Sequence, residues 1–232
     1  MPLLTGPEIA RLVQAGELKI EPYEPSQLNP NSYNLRLCDK LLVYEKMFRL
    51  HQFLQRRYEL WLKWCEDCNQ VKGDGPPPSE AYLVDSFMHF HPPQAIPLEP
   101  LDMAKDEPVV ELAIPKDGFI LWPGVMYLGA TLEYTETPNH APKLDGRSSV
   151  GRLGKMIHVT AGFGDVGFKG DWTLEIVVVY PLKVYPGVPI CQIAYSTVQG
   201  ERMEYGGQYQ GQRGPKKSGM WKAVQKLLGI AK

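Results

Sequence analysis

The chain has 232 residues, 44% of them hydrophobic and 22% charged, an ordinary globular composition with enough length to bury a full core. A net charge of −1 excludes a global basic field of the kind that binds polymeric nucleic acid, so any anion site has to be local. Four cysteines (Cys38, Cys65, Cys68, Cys191), with no apolar run of signal-peptide or membrane-spanning length, point to a reduced, soluble, cytoplasmic protein without a membrane partner.

In chain order, residues 5 to 16 read as a short helix, with Thr5 as N-cap, Glu8 in the capping-box position and Gly16 as the stop. A strand region from Ser32 to Tyr44 alternates Tyr33, Leu35 and Leu37 with polar partners. Next comes a segment of about 46–106. It holds a helix from Phe48 to Gln70, a breaker at Gly73-Asp-Gly-Pro-Pro-Pro78, a short apolar run from Ala81 to Phe90 and a proline-rich return at Pro92, Pro93, Pro97 and Pro100. Its aromatic stripe (Phe53, Tyr58, Trp61, Trp64) reads as packing on the main body or on a neighbouring subunit rather than as a ligand site. Cys65-Glu-Asp-Cys68, with His89 and His91 further along, has a metal-like spacing. Cys65 and Cys68 also fall at helical spacing with Leu50, Phe53, Leu54, Trp61 and Trp64, which favours a buried helix face and no zinc.

From Val109 onward, short β-rich runs are punctuated by Pro115-Lys-Asp-Gly118, Trp122-Pro-Gly124, Thr137-Pro-Asn139 and Tyr185-Pro-Gly187, the spacing of a barrel or sandwich. In the strand after Gly170, alternation sends Trp172, Leu174, Ile176 and Val178 to one face and Thr173, Glu175, Val177 and Val179 to the other. Glu175 thus shares a face with valines, where a carboxylate is costly unless it is paired or shifted, a condition that gathers at catalytic sites. The end, Ser218 to Gly229, reads as a short amphipathic helix docking through Trp221, Val224, Leu227 and Leu228.

Polar residues are densest between Asp145 and Glu175. Gly146-Arg-Ser-Ser-Val-Gly-Arg-Leu-Gly154, His158-Val-Thr-Ala161, Asp165 and Thr173-Leu-Glu175 resemble the motifs of the dCTP deaminase family, in the trimeric dUTPase-like superfamily. Tyr209-Gln-Gly-Gln212-Arg-Gly-Pro215 resembles that family's substrate-covering tail, placed here at about 203–219, and Asn29 to Leu37 its N-terminal strand. The likeness spans about residues 108 to 219 and gives out over 46–106. It implies one domain over 1–232: a mainly β, dUTPase-like distorted barrel of β-clip type with a short N-terminal helix, an inserted helical segment and a C-terminal tail. It also implies a homotrimer with active sites between subunits.

The resemblance further implies the roles. Glu175 is the base and proton shuttle; Ser148 and the Ala161 carbonyl hold the attacking water or the cytosine edge; Arg152 interacts with Glu175 and the C4 centre. Arg147 and Ser149 contact phosphates, and Thr160 belongs to the same binding motif. Asp165 holds the sugar, Phe168 packs on it and disfavours a 2′-hydroxyl, Tyr205 lies near the triphosphate, Gln212 reads the base or phosphate region, and Gln208 and Tyr209 belong to the substrate-binding tail. Many members carry Lys before the tail tyrosine, where this chain has Gln208, which removes one phosphate-binding cation and weakens the case for a triphosphate over a monophosphate; Arg213, Lys216 and Lys217 are the candidate substitutes.

Deamination at C4 of cytosine needs an activated water and a proton carrier. None of the five histidines is followed two residues later by Glu, as in zinc deaminases, so a metal-free step at C4 is expected, with Mg²⁺ accompanying only the triphosphate of a small deoxycytidine nucleotide. The expected reaction is dCTP to dUTP and ammonia. The alternatives are a bifunctional enzyme giving dUMP, a dCMP-preferring deaminase and a non-catalytic nucleotide-binding regulator. Ala161-Gly-Phe-Gly-Asp165 is closer to the bifunctional form of its motif, except that Gly164 stands where Ile is usual.

Overall fold

The computed structural model describes residues 2–70, 99–158 and 161–230, with the backbone alone for Trp61 and residues 64–70. The N-terminal helix α1 (Gly6–Gln14) is capped by Thr5, whose hydroxyl accepts from the Glu8 N–H at 3.4 Å. Glu8 does not complete the expected capping box. Its carboxylate takes the Arg11 guanidinium at 3.0 and 2.8 Å, because a bidentate ionic partner three residues on outcompetes a neutral backbone N–H. Gly16, at φ +71, ends the turn as expected.

Antiparallel strands build the main body. Strands β1 (Lys19–Glu21), β4 (Lys40–Tyr44), β5 (Val109–Ala113), β7 (Tyr127–Glu136), β9 (Lys155–Met156) and β10 (Lys169–Val178) form one sheet in the order β5-β4-β7-β10-β9, with β1 paired to β7. A second has the order β2-β3-β12-β8, from β2 (Leu28–Asn29), β3 (Ser32–Arg36), β8 (His140–Gly146) and β12 (Pro189–Thr197), and β6 (Phe119–Leu121) pairs with β11 (Leu182–Val184). The four predicted turn signals all fall between strands. Gly118, Gly124 and Gly187 have positive φ there, a conformation side chains resist.

The core lies between the sheets, where Tyr33, Leu35, Leu41, Leu174, Ile176, Ile193 and Tyr195 are buried. The region Ser32–Tyr44 splits into β3 and β4, and β3 buries both its faces: Ser32 and Asn34 are covered as well as Tyr33 and Leu35. Polar partners are tolerated there because they bond one another, Asn29 Nδ2 donating to Asn34 Oδ1 at 2.9 Å and Ser32 Oγ to Gln192 Oε1 at 2.8 Å.

Helix α2 (Glu45–Gln70) begins three residues before the expected start, continuing directly from β4. It lies on the β body through buried Leu50 and Leu54 and through Phe53 and Tyr58, the latter meeting Trp122 edge-on at 5.6 Å. Trp61, Trp64, Cys65 and Cys68 side chains, and the His89 and His91 expected near them, lie outside the described residues. The last helix, α4 (Met220–Leu227), docks differently from expectation. Trp221 and Val224 are partly covered, but Leu227 and Leu228 are exposed, and Gln225 Nε2 donates to the Ala104 carbonyl at 2.8 Å.

Candidate active site

Glu175 is positioned by β10, the strand next to β7, in register opposite Leu128. Its neighbours Leu174 and Ile176 are fully buried on the core side. Its own side chain, 36% exposed, faces the opposite way into a cavity of about 430 Å³. Trp172 departs from the predicted face. A register shift between Asp171 and Thr173 turns its ring into the same cavity as Thr173 and Glu175, since a bulge resets the two-residue alternation. The indole N–H donates to Thr135 Oγ1 at 2.8 Å, fixing the plane of that wall.

The carboxylate Oε2 of Glu175 makes a very short contact with His158 Nδ1. That imidazole is almost fully covered, and its Nε2 has no hydrogen-bond partner among the described residues. Sequence reading placed His158 in a motif but gave it no role, and it named Arg152 as the partner of Glu175. Within the chain the partner is the histidine, because the short β9 strand pairs with the end of β10 and delivers the next residues to Glu175. The available signal was the carboxylate on an apolar face, which needs a partner from somewhere.

Ala161, Asp165 and Phe168 line the same cavity, and Thr160 lies outside the described residues. Their loop is strapped to β8: Leu144 N–H donates to the Gly162 carbonyl at 2.7 Å and Gly164 N–H to the Pro142 carbonyl at 2.9 Å. Both glycines are demanded by close approach. A Cβ at Gly162 would fall 2.3 Å from the Leu144 oxygen and one at Gly164 2.4 Å from the Trp172 ring. Gly164, the departure from the family pattern, is thus the space that Trp172 fills. Phe168 is buried against Trp172 at 4.3 Å and meets Tyr205 edge-on at 5.7 Å.

The tail closes the cavity from above and contributes Tyr205, Tyr209 and Gln212 to it. It runs beside β10: Tyr205 N–H donates to the Val166 carbonyl at 2.8 Å, Gly211 N–H to Lys169 at 2.7 Å and Asp171 N–H to Gln212 at 3.0 Å. The Gln212 side chain is buried and donates to the Asp171 carbonyl at 2.6 Å. Asp171 also receives the Gly214 N–H at 2.7 Å, and burial pushes its carboxyl above the usual range. Gln208 does not line the cavity; its side chain lies against Gly219. Of the three candidate replacement cations, Lys216 lines the cavity, Lys217 pairs with Asp106 at 2.8 Å, and Arg213 lies over the Tyr134 ring at 4.7 Å.

Arg147, Ser148 and Ser149 line a different cavity, of about 520 Å³, which shares no lining residue with the first. They sit where β8 passes into the one-turn helix α3 (Ser148–Gly151), with Arg147 Nη1 donating to the Pro189 carbonyl at 3.1 Å and Gln192 Nε2 to Gly146 at 3.0 Å. Arg152 is exposed and lines neither. A single chain therefore carries two separate clusters: a cavity with two carboxylates under a tail, and an exposed Arg-Ser-Ser turn.

A family model described as dCTP deaminase-like matches residues 3–71 and 78–198. The chain belongs to the dCTP deaminase-like family. A protein from Leptospira biflexa named "dCTP deaminase, dUMP-forming" is 44% identical over 225 residues, 97% of this chain and 99% of that one. Proteins of the same name from Cytophaga hutchinsonii and Hathewaya histolytica are 41% and 39% identical, over 97% and 95% of the chain and 99% and 98% of their own lengths. The crystal structure of the 2′-deoxycytidine 5′-triphosphate deaminase from Agrobacterium tumefaciens superposes with a TM-score of 0.51 at 19% identity, covering 84% of this chain and 48% of that one. The mainly β, dUTPase-like fold of the family is therefore the fold of this chain. The expectation that dUTP is the end product is overturned by the relatives: those matched nearly end to end are named for forming dUMP.

Proposed function

We propose that the protein is a bifunctional dCTP deaminase that carries its substrate on to dUMP, the activity for which its relatives of 39–44% identity are named. The observation that carries this reading is one covered cavity holding two carboxylates in different settings, Glu175 against His158 and Asp165 exposed at the rim. The first reaction replaces the C4 amino group: water adds at C4, Glu175 takes its proton and passes one to the departing amine, and ammonia leaves. His158 holds the carboxylate in place. The second adds water to the phosphate chain, releasing pyrophosphate and leaving dUMP, with Asp165 orienting that water beside the sugar. Phe168, packed between Trp172 and Tyr205, presents an apolar surface to C2′ and disfavours a ribose.

Arg147, Ser148, Ser149 and Arg152 complete the site from a neighbouring subunit in a homotrimer. The outward-facing Arg-Ser-Ser turn supports this, as does the exposed apolar patch of Leu153, Met156, Val179 and Tyr180 beyond Arg152. Mg²⁺ would be brought by the triphosphate and would offset its charge, with no part in the step at C4; no cluster of three or more ligating side chains occurs among the described residues. No helix among the described residues is long and apolar enough to cross a membrane. The deciding experiment incubates purified protein with dCTP, dUTP, dCMP and CTP and separates the products. We expect dUMP, pyrophosphate and ammonia from dCTP and no turnover of CTP; accumulation of dUTP as the final product would refute the reading.

A further inference from the structure

The part of the nucleotide cavity that one chain supplies has an electrostatic problem, since Arg147 and Arg152 lie outside it. A phosphate chain entering it meets Asp165 and Glu175, and one of the two bases on its lining, His158, is already engaged by Glu175. The other is Lys216, the one Lys or Arg among the described lining residues, and it makes no ion pair with a described side chain.

The backbone around Lys216 is fixed on both sides. Its own N–H donates to Thr173 Oγ1 at 3.1 Å, two residues from Glu175, and Gly214 N–H donates to Asp171 Oδ2 at 2.7 Å. On the other side Lys217 Nζ reaches Asp106 Oδ1 at 2.8 Å and the Glu107 carbonyl at 3.2 Å, while Ser218 N–H donates to Tyr44 Oη at 3.1 Å. That anchor is itself braced, since the carboxylate of buried Glu107 accepts from Lys46 Nζ at 2.8 Å and from Asp102 N–H at 2.9 Å. A tail segment tethered at four points therefore leaves Lys216 without an ion pair among the described residues, over a cavity to which this chain brings no other Lys or Arg among the described lining residues.

We propose that Lys216 is the phosphate-contacting, specificity-determining residue that this chain supplies to its own cavity, and that the Lys217–Asp106 pair is the positioning device that aims it. The return limb at residues 102–107 thereby gains a role, as the dock of the substrate-covering tail. The inference rests on reading the cavity as a nucleotide site.

The test measures binding of dCTP and of deoxycytidine in a Glu175→Gln background, where nucleotide is held and not consumed, with KM in the Glu175 enzyme as the second measurement. With Lys216→Ala, dCTP should bind about tenfold more weakly and deoxycytidine within about twofold of the parent, the order set by one charge-assisted contact. Lys216→Arg should recover most of the loss, and raised salt should shrink it. Asp106→Asn should weaken dCTP binding in the same direction by a smaller factor. Equal losses for dCTP and deoxycytidine, or undiminished dCTP binding in Lys216→Ala, would overturn the proposal. An unmutated protein that turns over no cytosine deoxynucleotide would instead remove the functional reading beneath it.

Discussion

At the residue scale, Glu175 shows how far alternation carries. Two-residue periodicity puts it on the face opposite Leu174 and Ile176, and that is where it stands. The same rule misplaces Trp172, because the bulge between Asp171 and Thr173 is an event in the pairing with β7 and leaves no trace in β10's own sequence. Lys155 is a second case that only the fold exposes. It is buried on β9 without an ion pair among the described residues, and burial pulls its ammonium down to about 7 from an ordinary 10.5. Between pH 7 and 10.5 the unfolded chain then holds a proton that the folded chain has shed, so stability rises with pH across that window and is lowest at and below pH 7. Lys155→Met should raise the free energy of unfolding at pH 7 by ~1–3 kcal/mol, since an uncompensated buried charge is replaced by an apolar side chain. The advantage should fade towards pH 10 in urea titrations; an equal gain at both pH values would show that the charge is not its source.

At the scale of elements, the tail is an addition to a finished body. Its residues are mostly exposed, Gln212 being the buried exception, and its contacts to β10 are hydrogen bonds at a strand edge that water can replace. Truncation after Glu204 should therefore leave secondary structure and oligomeric state intact by circular dichroism and sedimentation. It should also lower kcat/KM for dCTP by ~100-fold or more, because Tyr205, Tyr209, Gln212 and Lys216 are all removed from the cavity. Wild-type kinetics in the truncated protein would show that the cavity works uncovered. Helix α2 is attached differently, by core burial. His51 is stacked between Phe48 and Phe119, at 5.7 and 5.3 Å, and its Nδ1 lies 2.9 Å from Tyr127 Oη. Trp122 N–H donates to that same hydroxyl at 3.0 Å, and burial lowers the pKa of the imidazole.

At the scale of the whole molecule, the proposed homotrimer would set the Arg147–Ser149 turn of one chain against the Glu175 cavity of another. In a trimer built that way, a Glu175→Gln subunit still offers its Ser148 turn, and a Ser148→Ala subunit still offers its Glu175 cavity. Each variant alone should be inactive. Randomly assembled mixtures in equal amounts should regain about a quarter of wild-type activity, the fraction of sites that pair two intact halves. Mixtures no more active than the separate variants would place both halves of the site within a single chain.

The sequence by itself determined the elements and the inventory. Turn signals bounded the strands, the Thr5 cap and Gly16 stop bounded α1, and the motifs named the cavity residues Ala161, Asp165, Phe168, Glu175, Tyr205, Tyr209 and Gln212. The turns, caps and alternation are local properties, set by backbone preference and periodicity over a few residues, whereas the cavity residues were named by resemblance to the family's motifs. Tertiary structure alone decided who meets whom. Within the chain it set His158 against Glu175, placed the Ser148 turn apart from the cavity, turned Trp172 inward over Gly164, and put Lys216 rather than Gln208, Arg213 or Lys217 on the cavity wall. Each of those outcomes depends on strand register or on a tail folding back over a distant strand, and pairing energies of that kind belong to two segments at once and cannot be read from either alone.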